Sequence, residues 1–323
     1  MTIYFAPLEG VTDVVYRRTH AACFWGIDKY FIPFVSPTHH LCFTPKEKRA
    51  ISPSENAGFH AVPQILSKHA DQFLWAAREM HELGYPEVNL NLGCPSGTVT
   101  GKGKGSGMLR DLSFLENFLD EVFARTPIAV SIKTRIGFES PEEWSAIWEL
   151  LSRYPASEWI IHPRTRAQFY KGIPCREAYA HALRSANGPV VYNGDLFTPQ
   201  DCHNLLETYP QTSALMLGRG LLAWPSLAQE LKGGPKLNRE TLRAFHNRLY
   251  DAYLQHDPKN VALIRMRVVM NHLACCFAEP KKALKAIRKA QNDAAYLDAV
   301  NRLFSEYEMC DTPNYQGPEE LNF

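Results

Sequence analysis

Eight short β-rich runs, each followed by turn residues or by a segment with helical spacing, restrict this chain more than any other feature. They cover residues 3–8, 30–35, 60–66, 87–92, 128–136, 158–163, 189–193 and 214–217. Helical spacing fills the intervals, as at 71–83, where Phe73, Ala76, Ala77, Met80 and Leu83 share one face, and at 113–123. Thr198-Pro199-Gln200-Asp201 supplies a helix N-cap, a proline at the first helical position and an acid in the first turn. Strands that alternate with helices imply a parallel sheet, and eight such units in about 230 residues suit a closed (β/α)8 TIM barrel better than an open sheet. The polar, broken stretch 37–59 reads as a long loop over one barrel end.

The alternation stops after Leu231, and Gly233-Gly234-Pro235 reads as a linker. From about 240 to 304 the spacing is helical, interrupted at Asp257-Pro258 and Glu279-Pro280, which predicts a small all-α bundle of three or four helices. The expected organisation is a barrel over 1–232, a helical domain over 236–310 and an acidic tail over 311–323. Net charge is only +1, but it is uneven. Residues 236–293 hold 12 Lys and Arg against 5 Asp and Glu, whereas 294–323 hold Arg302 against six acids. The helical domain therefore suits an anionic partner. No run nears the roughly 18 apolar residues of a membrane span, and residues 1–5 lead straight into a strand, so a cytoplasmic location is the expectation, and a monomer is the expected state. Eight cysteines include no CxxC pair, and no metal is expected.

In a (β/α)8 barrel the active site forms where the strands end. Those ends carry Ala6-Pro7-Leu8-Glu9-Gly10, Pro63-Gln64, Asn91-Leu92-Gly93-Cys94-Pro95-Ser96, Lys133-Thr134-Arg135, His162-Pro163-Arg164-Thr165, Asn193-Gly194-Asp195 and Gly218-Arg219-Gly220. Taken singly, Lys133 reads equally well as a surface lysine and His162 as a core histidine. Together, groups ending different strands converge only at the barrel mouth. The turns after strands seven and eight stand where barrels bind a cofactor phosphate, and a lysine with a glutamine nearby suits a flavin ring. No GxGxxG follows the first strand, so a separate nicotinamide-binding domain is not expected. Cys94 lies in a turn before the glycine-rich stretch 101–107, an arrangement that suits a proton donor on a mobile lid.

With these residues in view, the sequence resembles the tRNA-dihydrouridine synthase family over nearly its whole length. The resemblance rests on Ala6-Pro7 with Gly10-Val11-Thr12-Asp13 and Tyr16-Arg17, on Gln64, and on Asn91-Leu92-Gly93-Cys94-Pro95-Ser96. It extends through Lys133-Thr134-Arg135, His162-Pro163-Arg164-Thr165 with Gln168 and Tyr170, Asn193-Gly194-Asp195 and Gly218-Arg219-Gly220. It implies FMN held by Pro7, Leu8, Gln64, Lys133, His162, Asn193, Asp195, Gly218 and Arg219, and Cys94 as general acid with Asn91 beside the uracil. It also implies reduction of the flavin by NADPH or NADH, hydride delivery to C6 of a tRNA uridine, and protonation at C5 by Cys94. Arg135 and Arg164 would face the substrate at the mouth. Arg265, Arg267, Lys281, Lys282, Lys285, Arg288 and Lys289 would hold the tRNA backbone. The chain departs from the family pattern at Asn89, commonly Asp, at Leu8, commonly Met, and after Tyr170, where the usual Trp is missing. Two rival readings are a flavin barrel acting on a small molecule of the dihydroorotate or dihydropyrimidine type, and an RNA-binding protein whose catalysis is secondary or lost.

Overall fold

The computed structural model describes residues 1–315 and confirms the barrel. Its strands are β1 (Ile3–Phe5), β2 (Lys29–Val35), β3 (Ala61–Ile65), β4 (Glu87–Leu92), β5 (Ala129–Arg135), β6 (Trp159–His162), β7 (Val190–Tyr192) and β8 (Ala214–Leu217). All are parallel, and β8 closes on β1 through Ile3↔Leu215, Tyr4↔Met216 and Phe5↔Leu217. Both faces of such strands are buried, which is why β3 and β4 read as continuous rather than alternating burial. Tyr4, Phe31, Val62, Ile160, Val191 and Met216 fill the barrel interior. Residues of the opposite parity, such as Ile3, Phe5, Leu90 and Ile161, face the helices and join the larger outer core.

Helices follow the strands in turn: α1 (Val14–Cys23), α2 (Pro45–Ala50), α3 (Ala70–Glu82), α4 (Gly97–Thr100), α5 (Leu112–Arg125), α6 (Trp144–Leu151), α7 (Arg176–Ser185), α8 (Pro199–Thr208), α9 (Arg219–Ala223) and α10 (Leu227–Leu231). The cap anticipated at Thr198 is present, with Asp201 completing a capping box. The stretch 37–59 is not all loop. Thr44 and Glu47 form a second capping box that starts α2, and Glu47 also accepts from the Ser36 amide, tying the helix to the end of β2. The Thr-Pro-Lys-Glu spacing was the overlooked signal. At the opposite end of the barrel, Lys29 bridges Glu87 at 2.7 Å and Glu158 at 3.1 Å, and Tyr4 donates to Glu158 at 2.8 Å, so the interior is sealed away from the strand C-termini.

The remaining helices are α11 (Arg239–His256), α12 (Lys259–Leu273), α13 (Lys281–Lys289) and α14 (Asp293–Glu306). Their apolar faces belong to the same core as the outer barrel. Phe245 of α11 packs edge-on against Tyr16 of α1 and Phe24 just past its end, with centroids at 5.9 and 5.2 Å. Asp13, the N-cap of α1, also accepts from Tyr253 at 3.1 Å and from Arg265 at 2.6 Å. On α13, Ala283 and Ile287 are buried while Lys281, Lys282, Lys285, Arg288 and Lys289 are exposed, so the basic surplus forms an outward face. Of the expected acidic tail, residues 316–323 lie outside the described residues. Residues 311–315 fold back toward the barrel, where Tyr315 stacks on Phe197.

Candidate active site

A cavity of about 600 Å3 opens at the C-terminal ends of the strands. All eight contribute. Pro7 and Leu8 follow β1, Pro33 and Phe34 lie on β2, and Gln64 is on β3. Asn91 and Cys94 come from the end of β4, Lys133 and Arg135 from β5, and His162 from β6. Asn193 and Asp195 follow β7, and Gly218 and Arg219 follow β8.

A chain of amide hydrogen bonds sets the floor. Asn89 donates from Nδ2 to the Ser131 hydroxyl at 2.9 Å and accepts at Oδ1 from Gln64 Nε2 at 2.7 Å. Gln64 Oε1 accepts from Asn91 Nδ2 at 2.7 Å, and Asn91 Oδ1 accepts from the Gly93 and Cys94 amides at 3.0 and 2.9 Å. Every link is directional, because an amide has one donating and one accepting end. The Asn at position 89 therefore has a structural use: its Nδ2 reaches Ser131, which an ionised Asp could not do as a donor.

Cys94 is held on both sides. Its carbonyl accepts from the Ser106 amide at 3.2 Å and hydroxyl at 2.8 Å. Gly105, at φ +59°, packs so close that an added Cβ would lie 3.0 Å from the Cys94 carbonyl oxygen. Residues Gly105–Leu109 are buried, so this half of the glycine-rich stretch is a packed support and not the mobile lid expected from composition. Burial raises the Cys94 thiol above its ordinary pKa, against the opposing pull of the Ser96 backbone and of Arg135 and Lys133. A thiol in that state keeps its proton at neutral pH.

The cations lie around it. Burial, reinforced by the Arg135 guanidinium, lowers Lys133 to about 7. Arg135 donates to the Gly93 carbonyl at 3.0 Å and the Thr165 carbonyl at 2.7 Å. His162 is pushed well below its ordinary range by burial and then by Arg135 and Lys133, so its imidazole is neutral; Nε2 faces Arg164 Nη1 at 3.3 Å. Since a guanidinium can only donate, Nε2 accepts and the ring proton sits on Nδ1.

Three arginines expected at the substrate lie elsewhere. Arg164 is fully buried behind the cavity wall, with its guanidinium on both carboxylate oxygens of Asp195 and on the Lys171 and Gly172 carbonyls. No donor remains turned to the cavity. Arg265 forms an internal clasp, donating to Asp257 at 2.8 Å and Asp13 at 2.6 Å. Arg267 lies on α12 away from the mouth, with its Nε buried and without a hydrogen-bond partner among the described residues. The strand-end reasoning also missed Pro33, Phe34, Phe169 and Phe197, which line the cavity, and Tyr315, which borders it through Arg219. Pro33 and Phe34 were findable by the same rule, as the end of strand two; no polar group marked them.

Comparison with protein families matches residues 4–309 to the family described as dihydrouridine synthase (Dus). The chain belongs to the dihydrouridine synthase family. Among its relatives, the tRNA-dihydrouridine(16) synthase of Shigella flexneri is 29% identical over 94% of this chain and 98% of that protein. The probable tRNA-dihydrouridine synthase of Rhodobacter capsulatus is 26% identical, with 95% of each chain covered. Among solved structures, morphinone reductase superposes with a TM-score of 0.52 at 12% identity, covering 74% of this chain and 88% of that one. At that identity the likeness speaks for the barrel fold alone. The family match spans α11 to α14 as well as the barrel, so the helical region is shared by the family.

Proposed function

We propose that this family member reduces uridine in tRNA to 5,6-dihydrouridine, with FMN at the barrel mouth, NADPH or NADH as electron source and Cys94 as the proton donor. The observation that carries the reading is the placement of Cys94: a thiol kept protonated by burial, held by Asn91 and Ser106, and facing the same cavity as Lys133.

The residues present fit a flavin mononucleotide. The cavity volume is within the range of small-molecule sites. Lys133 has no hydrogen-bond or ion-pair partner among the described residues, so its ammonium is available to a ligand. Gln64 keeps one N–H beyond its bond to Asn89, and His162 keeps its Nδ1–H. Arg219 follows β8, on the side of the mouth where barrels of this kind bind a cofactor phosphate. Pro7, Leu8, Gln64, Lys133, His162, Asn193, Asp195, Gly218 and Arg219 would hold the group. Bound FMN would supply the hydride that a C5=C6 double bond needs for reduction. Lys133 would stabilise negative charge that builds at the ring, Asn91 would orient the uracil, and Cys94 would give its proton to C5.

Residues 1–232 would then form the catalytic unit and 236–310 the tRNA-holding unit. A uridine must leave its stack to enter the mouth, which is least costly in a looped region of tRNA. The exposed cations of α13 supply the backbone-binding face. The relatives' names make position 16 the first position to test. No helix among the described residues is long and apolar enough to cross a membrane. A tRNA substrate would place the work in the cytoplasm. The test is anaerobic. The protein should carry FMN, bleach on addition of NADPH or NADH, and recover its yellow colour when unmodified tRNA is added. A protein that bleaches but is reoxidised only by a small unsaturated pyrimidine, such as free uracil or orotate, would replace this reading with the small-molecule one.

A further inference from the structure

Arg219 is held in an unusual enclosure. Its guanidinium carbon lies 4.6 Å from the Tyr170 ring centroid, 5.6 Å from Phe197 and 5.3 Å from Tyr315. Nη2 donates to Asp195 at 2.5 Å, and Nη1 donates to the Tyr315 hydroxyl at 3.0 Å. Tyr315 is itself fixed, stacked on Phe197 with centroids 4.1 Å apart and ring planes 18° from parallel. Phe197 and Arg219 line the cavity, so the contact sits on its rim.

The segment that delivers Tyr315 is anchored along its length. The Ala278 amide donates to Glu308 at 2.9 Å, Phe277 bridges Met309, the Cys310 amide donates to Cys276 at 2.8 Å, and the Asn314 amide donates to Cys275 at 2.7 Å. The stretch 274–278 is in turn fastened to the helix that Arg219 begins, because Cys276 Sγ donates to the Ala223 carbonyl at 3.0 Å. The segment 308–315 and the end of β8 are thus tied at two points, one of them the guanidinium itself.

We propose that Tyr315 is a positioning residue for the cofactor's phosphate: it orients Arg219, so that a segment nearly a hundred residues beyond the barrel strand completes the flavin site. This rests on the FMN reading above. A free arginine side chain has many rotamers, and ordering it on binding would weaken affinity; Asp195 fixes one nitrogen and Tyr315 the other in advance. The phenol accepts from Arg219 and leaves the remaining donors of the guanidinium for an anion.

Flavin-free protein, titrated separately with FMN and with riboflavin, distinguishes this from a merely structural contact, since only FMN carries the phosphate. Tyr315→Ala should weaken FMN about tenfold, the size expected for one hydrogen bond to a charged group, and leave riboflavin within about twofold. Tyr315→Phe, which keeps the stack on Phe197 but loses the acceptor, should show most of that loss for FMN and melt with the wild type. Equal weakening for both ligands, no change in either, or tighter FMN binding by Tyr315→Ala would overturn the inference. Wild-type protein that takes up neither flavin would overturn the FMN reading itself.

Discussion

Replacing Asp195 by Asn tests whether one carboxylate organises the rim of the cavity. Asp195 bonds both terminal nitrogens of Arg164 and one of Arg219, and the side chains of the two arginines are only 1% and 10% exposed. Its backbone sits at φ +39°, a conformation Asn tolerates as well as Asp, so the substitution removes charge and one acceptor without straining the turn. Breaking a buried ion pair costs about 3–5 kcal/mol. Asp195 is itself 29% exposed, and Arg164 keeps its two carbonyl bonds, so the expected loss is nearer ~2–3 kcal/mol. For a chain of 323 residues that is a fall in melting temperature of roughly 3–5 °C. Urea and thermal melts of flavin-free protein measure it, and a flavin titration beside them should show weaker FMN as Arg219 loses an anchor. An Asp195→Asn protein that melts within about 1 °C of wild type and binds FMN equally well would refute the argument.

Cys94→Ala should retain bound flavin and its reduction by NADPH while dihydrouridine formation falls at least about a hundredfold, as read by single-turnover reoxidation with tRNA. Glu substitutions at Lys285 and Arg288 should weaken tRNA binding and flatten its salt dependence without altering flavin reduction, checked by binding titrations at several ionic strengths. Gly105→Ala should cost stability and slow turnover together, since its Cβ would press on the Cys94 carbonyl at a positive φ; melts and rates on one preparation test this. Lys133 at about 7 when folded, against about 10.4 when unfolded, binds its proton more weakly in the native state, so flavin-free protein should gain stability as pH rises from 7 toward 10. Urea midpoints of Lys133→Met, compared with wild type across that interval, should lack this gain.

The barrel was legible because burial on both strand faces writes continuous apolar runs, and eight of them with intervening helices leave few ways to close. The cavity was legible for a related reason: in a closed barrel the strand ends meet, so Cys94, Lys133, His162 and Asn193 had to converge. Side-chain direction was not legible. Arg164 and Arg135 both end strands, yet one turns behind the wall to Asp195 and the other borders the cavity, a choice made by partners distant in sequence. Arg265 looked like one more cation of a basic region until Asp13, more than 250 residues away, claimed it. Glycine content suggested motion at 101–107, but at Gly105 the missing side chain serves close packing against Cys94. Tyr315 carried no signal at all, because nothing in the sequence around it tells that residues 311–315 return to Arg219.

Whether this cavity reduces tRNA uridine is decided by mass-spectrometric mapping of dihydrouridine in unmodified tRNA incubated with the protein and NADPH. Dihydrouridine should appear at a defined position, in a loop, and be lost in Cys94→Ala. Oxidation of NADPH with every uridine left unchanged would contradict it.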